Sequence, residues 1–239
     1  MAKQSNEEYV LPSDTVENGK LNRLRAAVLG ANDGIVSVSA VVMGVAGAAV
    51  DARAVAVSGL AALIAGALSM AVGEYVSVSS QSDAEKVYIE REKRELRDEP
   101  EQALDELARE YMKHGVSEKT ARVVAKELTA KDALRAHLRM NFNLDPDDIN
   151  SPWQAAIASL AAFTVGGLIP FAAMVLSPAD ARVPITIIAV VIALCITGYA
   201  SATAGNASRR RAIVRVLVGG LLAMGITYVV GMVFGTAIA

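Results

Sequence analysis

Three stretches of this chain carry no charged side chain: Ala155–Leu176 (22 residues), Val183–Gly205 (23) and Val216–Ala239 (24). A helix needs about 20 apolar residues to cross the hydrocarbon core of a bilayer. Each stretch is therefore long enough to span. Two more blocks, Ala26–Val50 and Ala54–Gln81, carry one acid each, Asp33 and Glu74. The 53% of hydrophobic residues gather in these blocks instead of spreading over amphipathic periods, which excludes an ordinary soluble globular fold. Gly, Ala and Ser are abundant within the blocks and suit close helix packing in lipid. The expectation is an all-α integral membrane protein with five transmembrane helices and a cytosolic helical insert between the second and third.

The boundaries follow from composition: a polar N-terminal tail (1–23), spans one and two (24–81), a charged helical domain continuous with span two (82–152), and spans three to five (153–239). Basic residues set the orientation. With the N-terminus in the cytosol, 21 of the 23 Lys and Arg residues lie on the cytosolic side, leaving only Arg53 and Arg182 opposite. The C-terminus then lies across the membrane. The tail is mildly acidic and has no apolar core, so neither a signal peptide nor a transit peptide is expected. A bacterial cell membrane is expected over an organelle membrane. The single cysteine, Cys195, permits no intrachain disulfide.

Nothing breaks the helical pattern after span two until Pro100, so that helix is expected to continue into the insert. Pro100 suits the first turn of a following helix over Glu101–Lys113, with Gly115 as its stop. Ser117 is placed to cap a helix through Leu128, and Lys131–Phe142 reads as a further short one. Tyr88, Leu96, Leu104, Leu107, Val123, Val124 and Leu134 supply apolar faces. Glu90–Glu110 holds nine acids against five bases. Glu92 and Glu95 share a helix face at i, i+3, and Glu106 lies beyond the Pro100 turn. Grouped carboxylates bind divalent cations through oxygen; the alternative is a solvated helix laced with pairs such as Glu90–Arg94. Spacing leaves both open.

An acid inside a membrane span is costly and survives where it is paired or used. Asp33 sits in "LGANDGIV" between Gly30 and Gly34. Span two offers Met70 and Glu74, four residues apart and so on one helical face. Both acids lie toward the cytosolic ends of their spans. Two carboxylates with a thioether favour a transition metal such as Fe(II) over Mg or Ca, and such carboxylates also carry protons. Against this, Asp33 has Arg23 and Arg25 as potential ion-pair partners, Glu74 is near enough to the interface to face water, and methionine is an ordinary packing residue. His114 and His137 fall in the insert and are expected at its surface. The Arg209–Arg211 run beside span five suits lipid headgroups better than nucleic acid. No nucleotide-binding loop, H-E-x-x-H or Cys-x-x-Cys motif occurs, so ATP-driven pumping and zinc hydrolysis lack support, and no enzyme activity is expected.

"NDGIVS" in the first span, "SMAVGEYVSVSSQSD" running out of the second and "GGLIPF" in the third together resemble the vacuolar iron transporter family from about Leu24 onward. The resemblance implies a proton-coupled exporter of Fe(II), often also Mn(II), working as a homodimer with the path between subunits. It places Asp33 and Met70 on the family's intramembrane metal path, with Glu74 one turn beyond. In the insert, Glu92 and Glu95 match the family's first Glu-x-x-Glu pair and Glu106 the end of its second. Ala103 replaces the other member of that second pair. His137, Leu138 and Asn141 stand where Met, Met and Glu are expected, and Glu101, Asp105 and His137 are the candidates to substitute for the missing ligands.

The leading expectation is a secondary transporter that exports Fe(II) or Mn(II) in exchange for protons, with no resident cofactor. Asp33 would take metal and proton alternately, Met70 would select transition metals, Glu74 would serve the cytosolic mouth, and the insert's acids would concentrate cations. Its expected partners are divalent transition-metal ions, protons, the bilayer and a second copy of the chain, with no nucleic acid. The alternative is a membrane-anchored metal-sensing or interaction domain, in which Asp33 is dispensable. A third reading is proton-coupled transport of another cation.

Overall fold

The computed structural model describes residues 14–48, 51–147 and 150–238. They form helices throughout: α1 (Asp14–Gly47), α2 (Ala52–Asp98), α3 (Pro100–Lys113), α4 (Glu118–Phe142), α5 (Pro152–Leu176), α6 (Arg182–Ala204) and α7 (Arg209–Ile238). Five of these are long and apolar enough to cross a membrane: α1 from Ala26, α2, α5, α6 and α7. Only α3 and α4 are not. The protein is an all-helical integral membrane protein with five spans. By contacts the chain divides into two compact units, one built on Asn22–Asp83 and Asn150–Ala239, the other on Ala84–Ile149.

In the membrane unit, side chains from all five spans meet in one core, with Met224 contributed by α7. Ile35, Val38 and Val42 of α1 pack with Val55 and Leu63 of α2, Phe163 and Met174 of α5, and Val190 and Leu194 of α6. The opposite faces, among them Val57, Ile64 and Leu68 of α2, are exposed and apolar. That pattern is inverted for water and suits a lipid solvent. Close approach of α1 and α5 depends on glycine. A Cβ on Gly34 would stand 2.2 Å from the Phe163 carbonyl oxygen, and one on Gly166 would stand 2.2 Å from the Ala31 carbonyl oxygen. The two backbones therefore touch, as small residues allow in membrane helix pairs. Pro170 lies inside α5; it has no N–H to offer the Gly166 carbonyl.

In the insert unit, α2 is a continuous helix to Asp98 and α3 starts at Pro100, a position where the missing proline N–H costs nothing. Gly115 ends that helical segment with φ +88. Leu107 and Ala108 of α3 pack on Ala121 and Ala125 of α4, and Arg122 of α4 bonds Asp105 of α3 at 2.9 Å. The expected gap between Leu128 and Lys131 is helical, and the interruption of α4 falls instead at Asp132, with φ of −164 and ψ of 91. Its carboxylate accepts the Arg135 backbone N–H at 3.0 Å and so caps the second segment. Ser117 stands at the N-cap of α4 but makes no capping bond; its hydroxyl donates to Thr120 Oγ1 instead. The Glu90 carboxylate pairs with Lys93 at 2.8 Å. Arg94 reaches only the Glu90 carbonyl, so the expected Glu90–Arg94 ion pair does not form.

Candidate functional site

The membrane unit contains a cavity of about 450 Å³ lined by α1, α2 and α5. From α1 come Leu29, Asp33, Ser37 and Val41, whose four-residue spacing lays them along one stripe of the helix. From α2 come Gly66, Met70 and Glu74, again four apart, with Ser69 and Gly73 beside them. Phe163 of α5 forms a wall. Its ring is 1% exposed and occupies the space a side chain at Gly66 would need, with Cζ 2.2 Å from the Cβ position. The three residues singled out in the sequence, Asp33, Met70 and Glu74, thus face one space.

The chemistry of that space is anionic. Its lining holds two carboxylates, one thioether and two hydroxyls, and no cationic side chain. Asp33 is half-buried, and the Ser37 hydroxyl donates to its Oδ1 at 2.6 Å. The side chains of Arg23 and Arg25, its suggested ion-pair partners, lie outside the described ones. Hard carboxylate oxygens with a soft sulfur suit a divalent transition metal better than Mg or Ca. Among the described residues, no three His, Cys, Asp or Glu side chains converge on one point. The cavity is therefore an open, partly built set of donors, unlike a closed structural metal centre. Leu29 and Val41 at its edges are 56% and 38% exposed. Sequence reasoning passed over Ser37, which its i+4 relation to Asp33 would have flagged. It also passed over Gly66 and Phe163, whose contact is tertiary.

In the insert the predicted residues separate into two groups. Glu92 and His137 are buried, with side chains 3% and 2% exposed, and Glu92 Oε2 lies 3.3 Å from His137 Nδ1. Asn141 Nδ2 donates to the other Glu92 oxygen at 3.4 Å. His137 is thus an interior residue, contrary to its expected surface position; Leu138 beside it is also fully buried, and His114 is exposed. Glu95 and Glu106 instead line a separate cavity of about 500 Å³ with Arg91, Arg94, Asp98 and Glu99, and Ala103 lies in its wall. Arg91 Nε donates to Glu95 at 2.8 Å. That hydrogen bond, with the charges of Glu95, Glu92 and Glu106, holds the Arg91 guanidinium above its usual range. Lys93, by hydrogen bond and by charge, holds the Glu90 carboxyl below its usual range.

Fold and cavity together define a helical integral membrane protein with an acidic, sulfur-containing chamber among its spans. The chain matches the VIT family over residues 24–232. It is 42% identical over 220 residues to a vacuolar iron transporter of Acanthamoeba castellanii, covering 91% of this chain and 81% of that one. It is 35% identical over 206 residues to vacuolar iron transporter homolog 4 of Arabidopsis thaliana (86% and 80% covered). Homolog 2 of Oryza sativa subsp. japonica is 37% identical over 214 residues (89% and 91%). The chain belongs to the VIT family, a family of transporters and not of enzymes.

Proposed function

We propose that the protein exports Fe(II), and Mn(II) with it, from the cytosol in exchange for protons. The observation that carries this reading is the shared cavity of Asp33, Ser37, Met70 and Glu74 inside the membrane unit. Iron is the metal named for the relatives, and the oxygen–sulfur donor set fits it. The divalent ion enters as a partly hydrated cation, and Asp33 and Glu74 replace part of its water with carboxylate oxygen. Met70 contributes the soft donor that discriminates against Mg and Ca. When the ion leaves, two carboxylates remain in a poor solvent for charge, and protons from the far side neutralise them. Metal and proton thus compete for the same oxygens, which is the physical basis of exchange. Ser37 orients Asp33 through its hydrogen bond.

The distribution of Lys and Arg supports a cytosolic N-terminus and insert. The exposed rim at Leu29 and Val41 is the face a second copy of the chain closes in a homodimer, completing the ligand set across the two-fold axis. In the insert, Glu95 and Glu106 attract passing cations, with Arg91 competing for Glu95. Glu92 and His137 form an internal structural contact.

Purified protein in liposomes with an imposed pH gradient tests the proposal. Fe(II) and Mn(II) flux is followed together with proton counterflow, with Asp33→Ala beside the unaltered chain. Gradient-driven metal flux lost in the variant supports exchange through Asp33. Absence of flux from folded, inserted protein refutes transport of these metals and leaves the spans as a membrane anchor.

A further inference from the structure

We propose that the α6–α7 hairpin carries a binding site for an anionic phospholipid headgroup, built on Arg210, Arg211 and Arg215 and braced by Arg209 and Tyr199. The four arginines fall within seven residues, and all are exposed. Asp180 is the last acidic residue of the chain, and among the described residues none of the four arginines makes an ion pair. Arg211 and Arg215 are four apart on one helix, where like charges repel unless an anion lies between them. Every other dense run of bases in the described chain is interleaved with carboxylates, as at Arg91–Glu95 and Lys93–Glu90. This run alone lacks an internal counter-charge.

Position selects the anion. The cluster opens α7, whose span runs apolar from Val216 onward, so its guanidinium groups sit where hydrocarbon gives way to headgroups. Arg209 Cζ lies 5.0 Å above the ring centroid of Tyr199, near the end of α6. That cation–π contact fixes one guanidinium across the hairpin, while the other three arginines are exposed. An aromatic pair marks the same end of the bundle. Trp153 at the start of α5 lies 4.9 Å from Tyr75 of α2 and is 66% exposed. Trp153 and Tyr199 are both exposed, and exposed Trp and Tyr are enriched at a membrane–water interface. A phosphodiester is the anion held at that depth, and each nearby arginine adds to its attraction. At the opposite end Arg53 and Arg182 stand two residues from Asp51 and Asp180, so the asymmetry is one of uncompensated charge.

The test uses the full chain in detergent, titrated with fluorescent phosphatidylglycerol and, separately, phosphatidylcholine. The binding readout does not depend on transport, so its failure leaves the exporter reading untouched. The unaltered protein is expected to prefer phosphatidylglycerol by about tenfold or more. The R210Q/R211Q/R215Q variant is expected to lose that preference, and R210K/R211K/R215K to keep most of it. Arg209 is left in place to preserve the hairpin contact. Equal affinity for the two lipids in the unaltered protein overturns the proposal, as does a preference that survives in the glutamine variant. Displacement of phosphatidylglycerol by millimolar inorganic phosphate also overturns it, reassigning the cluster to free anions. Should the glutamine variant not fold, the lipid comparison in the unaltered and lysine proteins decides.

Discussion

The hydroxyl of Ser37 donates a 2.6 Å hydrogen bond to Oδ1 of Asp33, one turn earlier on α1. Both side chains face the cavity that also receives Met70 and Glu74. The bond fixes the direction in which the Asp33 carboxylate presents its other oxygen. A hydrogen bond to a charged group contributes about 1.5–3 kcal/mol. Ser37→Ala is therefore expected to weaken apparent Mn(II) or Fe(II) affinity by roughly tenfold or more while leaving transport measurable. Asp33→Ala is expected to abolish it. Concentration-dependent flux in liposomes separates the two; equal behaviour of Ser37→Ala and the unaltered chain would remove Ser37 from the site.

Gly34 predicts a packing effect of a different size. Its α carbon faces the Phe163 carbonyl so closely that an added methyl group would overlap it, and backbone yields less readily than a side chain. Overpacking of this kind costs about 1–3 kcal/mol, and more where backbone must move. Gly34→Ala is expected to lower the thermal midpoint by roughly 5–10 °C. Gly219→Ala, with open space around it, is expected to leave the midpoint unchanged. Thermal unfolding in one detergent compares the pair.

His137 is buried against Glu92, and removing it leaves that buried carboxylate with Asn141 as its remaining partner. His137→Ala is expected to destabilise the insert by about 3 kcal/mol through the cavity it leaves and the poorly compensated carboxylate. Hydrogen exchange along Glu118–Phe142 in the full chain reads this directly. Unchanged protection there would show that the contact stabilises nothing.

Asp145 gives the insert an acid-sensitive clasp. Burial opposes its charge, but the Asp147 backbone N–H, Arg139 and Arg135 outweigh that and hold its carboxyl below the usual range. Arg139 Nη2 lies 2.8 Å from the carboxylate, whose side chain is 5% exposed. A group with its folded pKa depressed stabilises the fold above the unfolded value of about 3.9 and loses that contribution as pH falls through the folded value. Protection of residues 139–147 is expected to be flat from pH 7 to about 5 and to drop below about 4. Asp145→Asn is expected to be less protected at neutral pH, by about 1–2 kcal/mol, and to lack the acid-dependent step.

The spans were legible because lipid leaves a coarse imprint: a run of 22 uncharged residues such as Ala155–Leu176 has few soluble destinations. The Asp33, Met70 and Glu74 grouping was legible for a related reason, since acids in such runs are conspicuous and helical spacing aligns them. The insert was harder. Glu92 and Glu95 stand at i, i+3, yet α4 covers one and leaves the other beside Arg91, and that division depends on where α4 docks. His137 read as a surface residue because polarity was the only local cue. A break in this helix was expected just after Leu128, but its displacement to Asp132 sets the phase of the residues that follow, His137 among them. Phe163 filling the space above Gly66 joins residues nearly a hundred positions apart and left no mark in either neighbourhood.

The contact of α1 with α5 at Gly34 and Gly166 also limits the histories open to this chain. Each glycine faces backbone on the partner helix, so neither can acquire a side chain first and wait for the other to shrink; both are already as small as residues come. Divergence here has to begin with a movement of the helices themselves, which would carry Asp33 away from Met70 and Glu74. The two positions are in this sense locked against gradual drift, while the lipid-facing residues around them are free to exchange one apolar side chain for another.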